Sequence, residues 1–527
     1  MKMNRFIYSI AALALLATSC DKFLDVMPDN RTELNTQEKI RTFLTSAYPE
    51  ISYMFLAEFS SDNVDDYGEN NPNYDRFVSQ VYHWEDLTET DNEDTENLWG
   101  ETYIAIAASN QAIEAINGLG GADAAGMQAE MAEALLTRAY SHFILVNMFA
   151  QAYSKETAAT DPGITYMLQP EQGLNPKYER NTVAEVYDFI DKDLQAALPY
   201  VSDGYYTVPK YHFNKRAAYA FATRFYLFYE RWDEAIKWAD ACLGEQPGSI
   251  LRDWKDMSKL AQDEDVVKNH YIDATLSSNV MLMTAYSMMG ACFEGRWSYY
   301  SRYSHGQYLA TNETGVALAS LLGSENSSFY YSPMHTYAAT NHDKVVFWKI
   351  PYLFEYTDPV AQVGYAHVVY PAFTTDMTLL ERAEAKILKK QYDSAVKDIN
   401  IWLGNISKLN KTYTAEQIVA AMKKISYSTW NASTPKKKLN PGFEIGEDGS
   451  IQESLLQFVL LLKRIEGLHL GQRWFDVNRY GIEIERRVIN MDGVPAEFVD
   501  KLTVRDPRRA LQIPLKVVDA GYEANKR

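Results

Sequence analysis

Two segments of the chain place aromatic rings beside arginines, a combination that suits sugar binding. An aromatic ring offers a flat apolar face to the C–H groups of a sugar, and arginine, aspartate and asparagine can bind its hydroxyls. Both segments fall in stretches that we expect to be loops, where binding residues often lie. The candidate ligand-binding residues are Tyr74, Arg76, Tyr82 and Trp84 in the first segment, and Arg296, Trp297, Tyr299, Tyr300, Arg302 and Tyr303 in the second.

Packing in the core is the alternative role for these rings, because large aromatic side chains are usually mostly buried. Taken singly, each ring is more often a packing residue than a ligand contact. The group around Trp297 favours ligand contact, because its rings and arginines crowd together without helical spacing. The run 329–331 is a weaker third candidate, and Trp232 and Trp238 lie on periodic apolar faces that we assign to helix cores.

Acidic side chains are abundant enough to raise a metal site or a hydrolase as alternatives. The loop 62–75 could offer oxygen ligands to Ca²⁺, but it lacks the residue order of an EF-hand. A glycosidase pair within 85–96 would need a fixed separation in a cleft, and a solvated loop is the simpler interpretation. G-x-S-x-G, H-E-x-x-H, P-loop and G-x-G-x-x-G motifs are absent from the sequence. We therefore expect no catalysis, no cofactor and no metal.

Residues 1–19 have the layout of a lipoprotein signal peptide. Lys2 and Arg5 give a positive start, and the apolar stretch 6–17 is too short to span a bilayer. Small residues then lead to Cys20, which we expect to carry acyl chains such as palmitate and to begin the mature chain. Each buried CH₂ contributes about 0.8 kcal/mol, so two or more chains would hold the protein on a membrane. An ordinary signal peptide with an accidental cysteine is the alternative.

Composition narrows the class of partner. The formal charge of −19 argues against nucleic acid and against an anionic membrane surface, because both attract basic patches. A hydrophobic fraction of 46% supports a large core, and 37 tyrosines suit a wet interface or a sugar-binding face. Beyond Cys20 only Cys242 and Cys292 remain, too few for a disulfide framework. We expect Cys242 to be a buried thiol, and a single bridge between the two stays open.

The rest of the chain predicts a mainly α fold built from a tetratricopeptide-like helical repeat. Trp232, Asp233, Ala235 and Lys237 align with Tyr392, Asp393, Ala395 and Lys397. We also expect a helix over 35–53, a loop over 61–95 and a capping box at Thr182 with Glu185. The predicted helix pairs span about 98–149, 182–243, 373–405 and 452–481, and long irregular insertions at about 246–372 and 406–450 would form the ligand-binding face.

Several motifs together resemble the SusD/RagB family. The run CDKFLDVMPDNR opens the mature chain, and a stretch around Arg473-Trp474-Phe475-Asp476 is similar to the most recognisable motif of the family. The resemblance spans nearly the whole of 20–527, which we expect to form a single domain. The other matching residues are Thr36, Leu98, Trp99, Tyr103, Asn110, Ala134, Arg138, Tyr140, Glu466, Gly471, Arg479, Tyr480, Gly481, Ile513 and Pro514.

The resemblance implies a non-catalytic binding protein. Family members are surface lipoproteins that cap a SusC-like TonB-dependent transporter in the outer membrane and help to capture oligosaccharides. Members of the RagB type capture peptides instead, and this is the alternative function. The repeats would meet the transporter, and the loops between and before them would hold the ligand. Trp99 and Trp474 lie inside scaffold motifs and are therefore assigned to the fold.

Overall fold

The structure is a computed structural model. It describes residues 33–69, 71, 73–171, 176–293, 302–330 and 344–527, together with the backbone of 335–338 and of residue 343. Most of these residues are helical. No helix in this part of the chain is both long and apolar enough to cross a membrane.

The α-helices are distributed along all of the described part of the chain. Short 3₁₀ segments at Leu44–Ala47, Leu198–Tyr200, Pro209–Tyr211, Pro247–Ser249, Asn326–Ser328 and Pro507–Arg509 lie between them. In chain order the helices are α1 Gln37–Phe43, α2 Met54–Ser60, α3 Arg76–Tyr82, α4 Thr95–Gly118, α5 Ala122–Ala125, α6 Gln128–Phe149, α7 Val183–Ala197, α8 Lys215–Phe228, α9 Trp232–Leu243, α10 Trp254–Met257, α11 Glu264–Tyr271, α12 Met289–Cys292, α13 Gln307–Asn312, α14 Gly315–Leu321, α15 Thr375–Leu388, α16 Tyr392–Ile406, α17 Ala415–Lys423, α18 Ile451–Glu466, α19 Gln472–Arg479 and α20 Leu515–Asp519.

Short strands form small sheets beside the helices. One sheet has the order β3-β1-β8-β9, with β1 and β8 parallel, and another has the order β2-β7-β6. The strands β4 and β5 pair with each other. The strands are β1 Asp65–Asp66, β2 Asn279–Tyr286, β3 Tyr303–Ser304, β4 His335–Ala338, β5 Asp343–Val346, β6 Leu353–Asp358, β7 Val363–Thr374, β8 Ile484–Ile489 and β9 Pro495–Leu502.

The internal repeat appears as two helix hairpins, α8–α9 and α15–α16. Ala235 and Ala395, which align in the sequence, are both fully buried, because small side chains let paired helices approach closely. The turns also correspond. Glu230 and Lys390, two residues before each second helix, both adopt a left-handed backbone with φ of 57° and 61°. The mainly α, tetratricopeptide-like fold is therefore confirmed.

The sequence correctly predicted the starts of two helices. Thr182 and Glu185 form the expected capping box at α7, and the Asn214 side chain accepts from the Ala217 N–H at the start of α8. Trp99 and Trp474 are buried in the core, as expected.

Three expectations about local structure need correction. The helix expected over 35–53 ends at Phe43 and tightens into a 3₁₀ turn, because the residue before Pro49 is extended. The expected loop 61–95 contains β1 and α3. The insertion 246–372 is not irregular throughout, since the sheet β2-β7-β6 lies within it.

One buried arginine connects an early segment of the chain to a late one. Arg486 on β8 donates to the carbonyl oxygens of Phe59, Ser60 and Ser61 at 2.8–3.0 Å, and to that of Tyr82 at 2.9 Å. Its guanidinium lies 3.8 Å from the ring centre of Tyr82. The planar fork thus binds the end of α2 and the end of α3 at once.

We expect Arg486→Lys to lower the free energy of unfolding by about 2–4 kcal/mol. A lysine ammonium keeps the charge, but it cannot reach these carbonyls together or stack on the ring. Chemical denaturation measures the change. Arg505→Lys, at an exposed pair with Asp161, is the matched control and should cost less than about 1 kcal/mol. Equal effects of the two substitutions would contradict the role assigned to Arg486.

Candidate functional site

The two aromatic segments singled out in the sequence meet in space. Strand β1 pairs antiparallel with β3, so that Asp66 lies opposite Tyr303. The Tyr67 N–H donates to the Arg302 carbonyl at 2.8 Å, and the Arg302 N–H donates to the Asn73 carbonyl at 3.3 Å. Residues more than 220 positions apart in the chain therefore form one surface on the sheet β3-β1-β8-β9.

Asp66, Arg302 and Tyr74 form a fixed platform on this surface. Asp66 accepts two bonds from Arg302, at 2.8 Å from Nε and 3.0 Å from Nη2. The guanidinium carbon lies 5.1 Å from the ring centre of Tyr74, within cation–π distance. Tyr74 is 53% exposed, whereas the Asp66 carboxylate is buried. The pair with Asp66 and the nearby tyrosines raise the pKa of Arg302, so the arginine stays charged.

Three of the candidate rings lie in the core. Tyr82, Trp84 and Tyr303 are 0%, 6% and 1% exposed. Tyr82 and Tyr303 pack together with ring centres 4.6 Å apart, and the Tyr303 hydroxyl bonds Ser79 Oγ at 2.8 Å. The Trp84 indole donates to the Ser60 carbonyl at 2.9 Å. With no open ring face, these rings pack the sheet against α3, which corrects the expectation that they contact ligand directly.

The remaining candidates fall into three groups. Arg76 has a side chain 65% exposed and pairs with Glu89 at 2.9 Å, so it is accessible at the start of α3. In the third candidate run, Phe329 is fully buried and Tyr330 packs against the core. The candidates outside the described residues are Arg296, Trp297, Tyr299, Tyr300 and Tyr331, and the expected lipidation site Cys20 also lies there.

Three carboxylates of the acidic loop 62–75 are paired with arginines from other parts of the chain. Asp62 binds Arg473 through both oxygens at 2.8 and 3.0 Å, and Asp65 binds Arg487 at 2.9 and 3.1 Å. Asp66 holds Arg302, as described above. Within the described part of the chain, no group of His, Cys, Asp or Glu is arranged to hold a metal ion. Asp66 positions Arg302, a role that the sequence did not reveal, because its acidic neighbours suggested a calcium ligand instead.

Two acids of the second stretch, Glu93 and Asp94, are buried and structural, whereas Glu85 and Asp86 are exposed, as expected for a solvated loop. Asp94 caps α4 by accepting from the Asn97 N–H at 2.8 Å. Glu93 is buried and accepts from Ser287 Oγ at 2.5 Å and from the Met288 N–H at 2.8 Å. These bonds attach the start of α4 to the end of β2, next to α12. Farther along, Cys242 and Cys292 are both buried free thiols, so the single bridge between them is absent.

Comparison with known proteins agrees with this architecture. A SusD-like family model, described as starch-binding and associating with the outer membrane, matches residues 22–227. Solved structures of the SusD superfamily match over nearly the whole chain. Residues 22–227 match the SusD-like family, and nearly the whole chain has the fold of SusD superfamily structures. The resemblance found in the sequence motifs is thereby confirmed.

Three solved structures illustrate the likeness. A SusD superfamily protein from Bacteroides thetaiotaomicron shares 18% identity over 93% of this chain and 100% of its own, with a TM-score of 0.62. A putative sugar binding protein from Bacteroides vulgatus shares 16% over 94% and 99%, with a TM-score of 0.63. A SusD-like carbohydrate binding protein from the same species shares 14% over 92% and 96%, with a TM-score of 0.56. Comparison with curated proteins found no match.

The environment of Glu93 predicts that the stability of this protein depends on pH. Burial raises the pKa of Glu93 to about 8, against an ordinary value of 4.5. The folded state therefore keeps a proton that the unfolded state loses near pH 4.5. The stability contribution is complete below that pH, and it is lost as pH rises toward 8, by an amount on the order of 4 kcal/mol.

Glu93→Gln should flatten this pH dependence, because the amide cannot ionise. Urea unfolding between pH 5 and pH 9 measures it for both proteins. Glu114→Gln, on the exposed face of α4, is the control and should follow the unsubstituted chain. An unchanged pH slope in Glu93→Gln would show that another group carries the effect.

Proposed function

We propose that this protein captures oligosaccharides at the cell surface without cleaving them and passes them to a SusC-like TonB-dependent transporter. The observation that carries the proposal is the platform of Tyr74, Arg302 and Asp66. An exposed phenol ring with a fixed guanidinium beside it offers a stacking face and hydrogen-bond donors to one ligand. Arg76 lies at the start of the neighbouring helix and extends the polar edge.

The fixed geometry supports binding over catalysis. Because Asp66 holds Arg302 in place before any ligand arrives, little side-chain freedom is lost when a sugar binds. Asp66 and its neighbour Asp65 are each paired with an arginine. The segment that contains Arg296, Trp297, Tyr299 and Tyr300 directly precedes Arg302 in the chain, so we assign these residues to the same ligand site.

The N-terminal sequence supports an outer-membrane location for the protein. The signal-like residues 1–19 and Cys20 support secretion and a lipid anchor in the outer membrane, with the helical body outside the bilayer. The described body supplies no membrane-crossing helix, so the acyl chains would be the attachment. The family description of association with the outer membrane supports this location. The sugar-binding names of two structural neighbours support a carbohydrate ligand.

Peptide capture of the RagB type is the second candidate, and one feature favours it. Strand β6 is an edge of the sheet β2-β7-β6, and all of its residues after Leu353 are exposed. An extended peptide can add to such an edge through backbone hydrogen bonds. The aromatic platform has no part in this mode, so the two candidates predict different sensitive residues.

We expect Tyr74→Ala to weaken oligosaccharide binding by about tenfold or more, which corresponds to about 1.4 kcal/mol. The substitution removes the exposed stacking face and leaves the Asp66–Arg302 pair intact. Affinity gel electrophoresis against a polysaccharide panel identifies the glycan, and calorimetry with its fragments measures the affinity. No reducing ends should be released during incubation.

Tyr200→Ala is the matched control, because Tyr200 is similarly exposed at 52% and lies in the 3₁₀ segment Leu198–Tyr200. It should bind like the unsubstituted chain. Equal affinity of Tyr74→Ala and Tyr200→Ala would remove the platform from the ligand site. Binding to peptide digests with no binding to any glycan would replace the proposal by the RagB alternative.

A further inference from the structure

A small cleft lies on the opposite face of the sheet that carries the platform. Its volume is about 160 Å³, and it opens between strand β8 and the loop 428–438. Successive residues of a strand point to opposite faces of a sheet. Asp66 therefore holds Arg302 on the platform face, while its neighbour Asp65 lines the cleft on the other face.

The floor of the cleft is a fixed ionic cluster. Arg487 Nη2 lies 3.1 Å from one oxygen of Asp65 and 3.0 Å from one oxygen of Glu313. All three side chains are more than nine-tenths buried. Each oxygen of Asp65 accepts one bond from Arg487, and a carboxylate has about four acceptor positions. A hydroxyl in the cleft can therefore donate to Asp65 without breaking the pair.

An aromatic ring forms one wall. Trp430 is half-buried, and its ring centre lies 6.3 Å from that of Phe498 on β9. The Trp430 carbonyl accepts from Arg487 Nη1 at 3.2 Å, which fixes the loop over the floor. An indole beside acceptor carboxylates repeats the chemistry that makes the platform suitable for sugars.

A partly exposed charged group forms the other wall. Lys501 Nζ lies 2.8 Å from Glu483 and 3.6 Å from Glu485, and all three side chains are about one-third accessible. At the mouth of the cleft, the ammonium can donate hydrogen bonds and the carboxylates can accept them. Sugar hydroxyls can bind to both, because each hydroxyl donates and accepts.

Charge and size narrow the ligand further. Five carboxylates and five cationic side chains line the described cleft, so it attracts neither a polyanion nor a metal ion strongly. The volume is well below the roughly 300–1,000 Å³ of pockets for drug-sized ligands. Burial raises the pKa of Asp65 despite Arg487, which indicates a carboxylate that gains from a further donor. A small neutral polyol fits these conditions.

We propose that this cleft is a second carbohydrate subsite, which binds one neutral sugar ring. The inference rests on the proposed glycan capture and adds a site that is separated from the platform by the sheet. A single chain segment cannot contact both faces at once, so the cleft binds its ring independently of Tyr74. It would hold a chain end or a branch of a captured glycan, or a free monosaccharide.

Titration of the purified chain with glucose, galactose, mannose and xylose, followed by saturation-transfer NMR, tests the proposal. At least one of these sugars should bind in the millimolar range. Trp430→Ala should weaken that binding by about tenfold or more, and Glu485→Gln by a smaller factor. Trp430 lies in a surface loop and Glu485→Gln keeps the side-chain shape, so both variants should keep the unfolding midpoint of the unsubstituted chain.

One control supports the assignment to the cleft. Glu497→Gln, exposed on β9 outside the cleft, should leave monosaccharide binding unchanged. Monosaccharide affinity that survives in Trp430→Ala would overturn the cleft. Oligosaccharide binding at Tyr74 with no monosaccharide binding would also overturn the cleft and would leave the proposed function intact. Absence of binding to every glycan and monosaccharide would overturn both.

Discussion

The architecture depends on buried arginines that connect an early segment of the chain to its C-terminal quarter. Arg486 binds four carbonyl oxygens at the ends of α2 and α3, while Arg473 and Arg487 take the carboxylates of Asp62 and Asp65. More than 400 residues separate these partners. Because a buried charge that loses its partner is strongly destabilising, each of these arginines needs its partner in place.

Glu58 and Gly471 add a second connection, between α2 and the turn before α19. The buried Glu58 carboxylate of α2 accepts from the backbone N–H groups of His469 at 2.8 Å and Gly471 at 3.0 Å. Gly471 has φ of 69°, and a Cβ there would lie 2.8 Å from the Met54 Cα. Only glycine allows the turn before α19 to approach α2 so closely. The C-terminal motif therefore packs the turn before α19 against α2.

The small sheet then decides what each face can bind. Asp65 and Asp66 are neighbours in the chain, yet each fixes a different arginine on a different face. One face carries the exposed platform of Tyr74 and Arg302, and the other carries the small cleft beside Trp430. The two surfaces differ in shape, because the platform is open and the cleft has a volume of about 160 Å³. Both are held rigid by the same strand, which suits capture of a ligand without chemical change.

Local sequence information was sufficient for the helices of the repeat and the capping box at Thr182, because these depend on spacing within a few turns. It also selected Tyr74 and Arg302, since aromatic rings and arginines in expected loops are visible without a fold. It could not decide which rings stay exposed. Tyr82 and Tyr303 became core residues because β1 and β3 pair across more than 220 residues, a contact that no local pattern encodes. Tertiary structure alone also showed that Asp62, Asp65 and Asp66 are arginine partners and not metal ligands, because their partners lie more than 230 residues away in the chain.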